Sequence, residues 1–371
     1  IAPKATHSAW ERVLTDFQVT HHVRELTNPE RISRGIAKCF DGTWHLPRKG
    51  FLLVDEPQRF ITSPKALATE AMLILRRWAE GRILFLSATI ASSPLSLRAI
   101  GGLFNLHDGS LPGFYAWARS HGCLPVPIPG NVSQTRWAFR PANPELEMQK
   151  IRAEFGSRYV SLSQKEIPGF PSNLIAPKLY DLSAHDLEAL KKAYRELPPK
   201  LSTSTSTPNA DVERLRTRQR IEFTKADLLA TLAIQTREEG RWPVVFVNFR
   251  DTLFRVATLI STLAPQLRVV KIIGGEDPQP AITAFQHPTD PADIALCTLA
   301  AGGTGISLHD VHNRHPRTAF ICPGDSASEV KQALGRVWRV GGTDCITIFP
   351  LVAKSVEEQV FRSMNRKIGN I

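Results

Sequence analysis

The run Phe51-Leu52-Leu53-Val54-Asp55-Glu56-Pro57-Gln58 decides the fold. Four consecutive apolar residues without alternation read as a strand buried on both faces, as parallel strands covered by helices are. Two adjacent carboxylates follow at its carboxyl end, the edge at which open α/β sheets bind ligands. Outward from this stretch the same unit recurs: a short apolar run, a polar or glycine-rich turn, then a longer helical stretch. Strands are predicted at Phe51–Val54, Ile83–Leu86, Val244–Val247, Val269–Ile273, Ile294–Thr298, Thr318–Ile321 and Cys345–Phe349. Three- and four-residue spacing of apolar positions predicts helices at Pro64–Glu80, Ala184–Glu196, Asp211–Glu239, Arg250–Ala264, Ser326–Val340 and Ser355–Lys367. The fold class is therefore α/β with parallel sheets.

The strands form one group before about residue 90 and another after about residue 240, which implies two sheets in two lobes. Pro168-Gly169-Phe170-Pro171 breaks any helix and places the boundary near Ile167–Ser172, giving lobes at 1–170 and 171–371. Residues 95–165 read as an insertion in the first lobe. Within it, Pro125 to Pro144 is rich in proline and lacks periodicity, as a surface excursion would. The low-complexity run Pro198–Pro208 reads as a mobile loop.

The 371 residues contain 46 Lys plus Arg against 35 Asp plus Glu, a net charge of +11 that suits encounter with a polyanion. No stretch approaches the ~18–20 apolar residues of a membrane span, so no membrane partner is expected. The five cysteines, Cys39, Cys123, Cys297, Cys322 and Cys345, include no C-x-x-C pair and signal neither a zinc ribbon nor a disulfide framework. A reducing compartment follows: cytoplasmic, or nuclear in a eukaryotic or viral setting. Ile1-Ala2-Pro3-Lys4 reads as the end of a strand, so the chain is expected to start inside a fold.

Four constellations carry chemistry. Nucleotide hydrolysis needs one carboxylate to hold Mg²⁺ and a second to orient or deprotonate the attacking water; Asp55 suits the first role and Glu56 the second. Such a pair also suits a solvated loop or a helix cap. Ser87-Ala88-Thr89 follows the next strand, where Ser87 and Thr89 can hydrogen-bond the acidic loop and report its state, or cap a helix. Ile294–Thr298 runs into Gly302, Gly303 and Gly305, where bare backbone can approach a phosphate or simply turn tightly. In Gln332–Gly341, a helix would set Gln332, Arg336 and Arg339 on one face at i, i+4 and i+7. Aligned guanidiniums can stabilise charge developing on a γ-phosphate, or serve as a basic surface face.

In this order and spacing the four patterns resemble superfamily 2 helicases and translocases, specifically their Swi/Snf-like branch in the form met in phage, viral and mobile-element proteins. Ile1–Lys4 with Trp10 resembles the motif after the first strand–P-loop–helix unit, and Val245–Arg250 the first strand of the second lobe. Arg158–Ile167, Tyr180–Ser183 and Ser355–Val360 carry the Swi/Snf flavour. The resemblance implies two RecA-like lobes, the first incomplete at its N-terminus. It implies ATP and Mg²⁺ as cofactors, with Asp55 as the metal residue. Asp55, Glu56, Gln332, Gly303 and Gly305 would hold the nucleotide, while Asp55, Glu56, Arg336 and Arg339 would be catalytic. Pro3, Lys4, Thr298, Gly302 and Thr304 would contact nucleic acid, and Ser87 and Thr89 would couple the two events. The expected activity is ATP-driven translocation on duplex DNA, with single-stranded DNA also open as the track. Protein partners stay unassigned.

Three departures bound the resemblance. No Gly-Lys dipeptide occurs in the 371 residues, so the P-loop is missing from them and the chain alone is expected to hydrolyse ATP barely or not at all. The acidic box reads Asp55-Glu56-Pro57-Gln58 instead of Asp-Glu-x-His. Gly335 and Trp338 stand where chromatin remodellers carry Asp and His. Two other readings stay open: a DNA-binding fragment without catalysis, and the motor portion of a restriction or recombination complex.

Overall fold

The computed structural model describes residues 1, 7–18, 52–57, 69–70, 72–73, 83–87, 91, 93–128, 131–162, 166–197, 208–302, 306–324, 327–357, 359 and 361–362. Its contacts divide the chain into two units, Ile1–Ser161 and Leu162–Gly369.

In the first unit, helix α1 (His7–Asp16) precedes two parallel strands, β1 (Leu52–Asp55) and β2 (Ile83–Leu86), paired from Leu52↔Ile83 to Asp55↔Leu86. Ile1 lies along the other side of β1: its amine donates to Leu53 O at 2.6 Å and its carbonyl accepts from Asp55 N at 2.8 Å. The chain continues through α2 (Arg98–Leu103), α3 (Leu111–Ser120), an antiparallel hairpin β3 (Cys123–Ile128) and β4 (Asn131–Phe139), and α4 (Pro144–Glu154). Ser110 and Asn143 cap α3 and α4 by accepting from Gly113 N and Leu146 N, each just ahead of a proline in the first turn. Val54, Leu97, Ile100, Met148, Ile151 and Phe155 form the core here.

The stretch Pro125–Pro144, expected to be an aperiodic insertion or surface excursion, forms instead a regular hairpin leading into α4. Pro125 and Pro127 lack an N–H, and a two-stranded hairpin has outer edges where that loss disrupts no ladder. Tyr115 stacks on Trp137 of β4 with ring centroids 4.5 Å apart, tying the hairpin to α3.

The second unit is a six-stranded, wholly parallel sheet in the order β5-β10-β9-β6-β8-β7. Its elements run β5 (Asn173–Tyr180), α5 (Ala184–Glu196), α6 (Pro208–Phe223), α7 (Ala226–Glu238), β6 (Trp242–Val247), α8 (Arg250–Leu263), β7 (Val269–Ile272), α9 (Gln279–Phe285), β8 (Ile294–Thr298), α10 (Leu299–Gly302), β9 (Arg317–Ile321), α11 (Ala327–Val337) and β10 (Cys345–Val352). Alternate strand residues feed two cores. Val244, Phe246, Ala295, Ala319 and Ile321 pack against α9 and α11, while Val245, Val247, Leu296 and Phe320 pack against α7 and α8. Both faces are thus covered, which is why β6, β8 and β9 read as continuous apolar runs.

Two expectations are corrected in this unit. The single helix at Asp211–Glu239 is two helices broken at Thr224-Lys225, where Thr224 N still bonds Arg220 O but Lys225 N bonds Glu222 O, three residues back. The helix at Ser326–Val340 ends at Val337. Strand β5 was not expected. It lies at the sheet edge with Leu174, Ile175 and Leu179 exposed, so its pattern lacks the signature of burial. The expected helices Pro64–Glu80 and Ser355–Lys367 fall largely outside the described residues.

Candidate functional site

The first unit presents Asp55 and Glu56 at the carboxyl end of β1. Trp10 of α1 donates its indole N–H to Asp55 Oδ2 at 2.9 Å, which orients the carboxylate. Glu56 N donates to Leu86 O at 2.8 Å, so both carboxylates sit where the two parallel strands end. Glu56 has φ of +51°, the left-handed region. For a residue with a Cβ this costs on the order of 1 kcal/mol and persists only where the surroundings enforce it, and such strain clusters at functional sites. Among the described residues the second oxygen of Asp55, Oδ1, has no hydrogen bond, so the donor set suits an aquated Mg²⁺. Ser87 follows directly on β2. Thr89, Pro3 and Lys4 lie outside the described residues.

In the second unit, β6 leads through α8 to one side of the sheet and β9 leads through α11 to the other. The crevice between the carboxyl ends of β6 and β9 is therefore the topological switch point, where open α/β sheets bind ligands. Asn248 and Phe249 follow β6 there, and Pro323 and Gly324 follow β9. The buried carboxylate of Glu222 on α6 fixes the first loop, accepting from Asn248 N at 3.0 and 2.8 Å, Asn248 Nδ2 at 2.5 Å and Phe249 N at 3.0 Å. A Cβ at Gly324 would stand 2.5 Å from Asn248 Oδ1, so any larger residue there would have to displace the Asn248 side-chain amide that Glu222 holds. Arg250 reaches across to the carbonyl of Gly274 after β7.

Thr298 ends β8 and is buried, and the chain passes straight into α10, which ends at Gly302. Gly303, Thr304 and Gly305 lie outside the described residues. Immediately after them, Ile306 O accepts from Arg336 Nη1 at 3.4 Å, and Leu308 N donates to Arg336 O at 2.8 Å. The segment leaving the glycine-rich stretch is thus bonded to the end of the arginine helix.

Gln332 and Arg336 lie on α11, one turn apart, and Arg336 is buried at 9% exposure. Arg339 lies past the helix end, so the expected alignment of all three on one helical face does not form. The cause is local. Trp338 N makes the last helical bond, to Leu334 O, and its indole donates to Pro171 O at 2.7 Å while the ring packs edge-on against Phe170. The chain then turns at Gly341, with φ of +81°. Burial lowers the Arg339 pKa, though a guanidinium stays charged at neutral pH. Burial, with Arg339 and Arg317 adding to it, pushes His309 down to about 4, so this imidazole is neutral at pH 7.

One buried ion pair was missed in the sequence. Lys225 Nζ lies 2.9 Å from Glu357 Oε1, both side chains 3% exposed, and Glu357 also accepts from Tyr194 OH and Val352 N. Burial works against the Lys225 ammonium, but Glu357, with Cys322 and Tyr194, more than offsets it and holds its pKa above the ordinary value. A lysine in a helical run looks like a solvated position, and only the run Arg214, Arg218, Glu222, Lys225 at four- and three-residue spacing hints at a polar stripe turned inward. Among the described residues no cluster of His, Cys, Asp and Glu forms a metal cage, and no helix is long and apolar enough to cross a membrane.

No family model matches the chain. A curated protein of Acanthamoeba polyphaga mimivirus, named "Putative ATP-dependent RNA helicase", is 25% identical over 363 residues, covering 88% of this chain and 61% of its own length. The chain therefore spans about three fifths of the relative it matches. Among solved structures, the Sulfolobus solfataricus SWI2/SNF2 ATPase C-terminal domain covers 53% of this chain and 86% of its own at 14% identity and a TM-score of 0.36. S. cerevisiae Dbp5 bound to RNA and ADP BeF3 covers 93% and 63% at 10% identity and a TM-score of 0.45. The α/β class rests on the strand order and directions given above. The similarity in sequence is to a helicase-like protein and runs through both units.

Proposed function

We propose that the chain is the larger part of a helicase-like ATPase motor that uses ATP and Mg²⁺ to move on nucleic acid, with duplex DNA as the track. The observation that carries this reading is the pair Asp55 and Glu56 at the carboxyl end of β1, one oriented by Trp10 and the other held in a left-handed conformation. Asp55 is the residue that would hold Mg²⁺, which when bound neutralises charge on the phosphates. Glu56 would accept the proton of the attacking water. Arg336 and Arg339 supply guanidiniums for the charge that develops on the transferred phosphoryl group. Gln332 assists in holding the nucleotide, together with Gly303 and Gly305. Pro3, Lys4, Thr298, Gly302 and Thr304 would contact the track, and Ser87 and Thr89 would couple the two events. The mimivirus relative bears an RNA helicase name, so RNA is the competing track.

These 371 residues carry no Gly-Lys dipeptide, so by themselves they should bind nucleic acid and turn over ATP barely or not at all. Fluorescence anisotropy on unrelated DNA duplexes and on matched RNA duplexes tests the reading. Binding to DNA that falls steeply with salt and ignores sequence supports it. No binding at low salt, or binding to RNA alone, overturns the DNA track. Robust ATP turnover abolished by Glu56→Gln would show that some other segment grips the phosphates.

A further inference from the structure

The crevice at the switch point is a cavity of about 140 Å³, room for several waters or one phosphoryl group, and it lies wholly within the second unit. Its floor is the loop pair after β6 and β9, with Asn248, Phe249 and Gly324. One wall is α6, which places Arg214 and Arg218 on the cavity one turn apart, on the same stripe as Glu222. The Arg218 guanidinium carbon lies 5.9 Å from the centroid of the Phe249 ring, which aims it at the end of β6. Both carboxylates that line the cavity are engaged by donors of the protein itself: Glu222 by the Asn248 and Phe249 amides, Glu357 by Lys225, Tyr194 and Val352 N. A guanidinium has five N–H groups, so one that already serves a protein acceptor keeps donors for an oxyanion.

We propose that this crevice is a phosphate-binding site in which Arg214 and Arg218, on a helix outside every motif of the sequence, grip an oxyanion at the ends of β6 and β9. Its ligand is a phosphodiester of the nucleic acid that the motor follows, and to that extent the proposal rests on the function proposed above. Two arginines a turn apart can clamp one phosphate from adjacent sides with paired N–H donors, which lysines would do only as point charges. The position on α6 ties this grip to the loop after β6 through Glu222, so that occupancy and the conformation of Asn248-Phe249 are linked.

The test has two arms on the full chain. In the first, thermal unfolding is followed with inorganic phosphate and pyrophosphate against sodium chloride of equal ionic strength. In the second, anisotropy of a labelled DNA duplex is measured across salt. The variants are Arg214→Gln/Arg218→Gln, Arg214→Lys/Arg218→Lys, and Arg195→Gln as an exposed control outside the cavity. The proposal predicts a phosphate-specific rise in Tm that the double glutamine variant loses and the double lysine variant keeps only in part. It also predicts a salt slope reduced by about 1 and duplex affinity reduced about tenfold in the glutamine variant, with Arg195→Gln unchanged. Far-UV circular dichroism and unfolding without phosphate establish that the variants are folded. If the folded glutamine variant keeps both the phosphate shift and the duplex affinity, the crevice is not a phosphate site, while the motor reading stands. If the wild type shows an arginine-dependent phosphate shift but binds no DNA duplex, the phosphate site stands and the DNA track falls.

Discussion

Removing the charge of Glu357 while keeping its shape isolates the buried pair with Lys225. In Glu357→Gln the ammonium of Lys225, 3% exposed, keeps its place but loses the carboxylate 2.9 Å away. An uncompensated buried charge of this kind costs roughly 3–5 kcal/mol. A unit of this size loses about 2–4 °C of Tm per kcal/mol, so the variant should melt about 6–20 °C lower. Lys225→Met should cost a similar amount by stranding Glu357. The double variant Lys225→Met/Glu357→Gln leaves no charge behind, and its loss should fall far short of the sum of the singles. Because the Lys225 pKa is raised in the folded state, its contribution is fully present below its unfolded value of ~10.4 and is lost only as pH rises through the higher folded value. The cycle should therefore give the same coupling at pH 6 and pH 9. Chemical denaturation of the four proteins at both pH values measures it. Single variants that each cost under about 1 kcal/mol would show that water reaches the pair and that neither charge is stranded in a dry interior.

His121 of the first unit places both ring nitrogens 2.9 Å from carboxylates, Glu147 and Glu154, and so joins the end of α3 to α4. Its hydrogen bond to Glu147, with Lys150 adding to it, holds the Glu147 carboxyl below the usual range. The stability this gives is present above ~4.3 and lost as pH falls through the lowered folded value, so the gap in urea midpoint between wild type and Glu147→Gln should narrow as pH falls below ~4.3. Trp338→Phe keeps the ring against Phe170 but removes the N–H that Pro171 O accepts; a loss of ~1 kcal/mol, or about 2–4 °C in Tm, is expected by calorimetry.

The interior of the second sheet was plain in the sequence because β6, β8 and β9 are short apolar runs bounded by turn residues, as strands buried on both faces are. Strand β5 escaped because Leu174, Ile175 and Leu179 are exposed at an edge, and Pro177 argues against a strand where only an edge tolerates it. The hairpin escaped for the same reason, through Pro125 and Pro127. The carboxylates Asp55 and Glu56 were legible, since a strand end fixes where its next residues go. The arginine helix was half legible: periodicity continues to Val340, but the Trp338 contact with Pro171 is tertiary and ends the helix at Val337. Glu222, Lys225 and Glu357 were invisible because charge in a helical run reads as surface, and only packing shows which charged residues turn inward.

Glu56 is proposed to act in nucleic-acid-stimulated ATP hydrolysis. The direct measurement is turnover of ATP with and without saturating DNA duplex, by the chain with a Gly-Lys-Thr-bearing P-loop unit placed ahead of Ile1, in wild type and Glu56→Gln. The expected result is duplex-stimulated turnover that falls by roughly 10³-fold or more in Glu56→Gln while duplex affinity stays within about twofold. A Glu56→Gln protein that hydrolyses ATP as fast as the wild type, or a wild type indifferent to duplex, would contradict it.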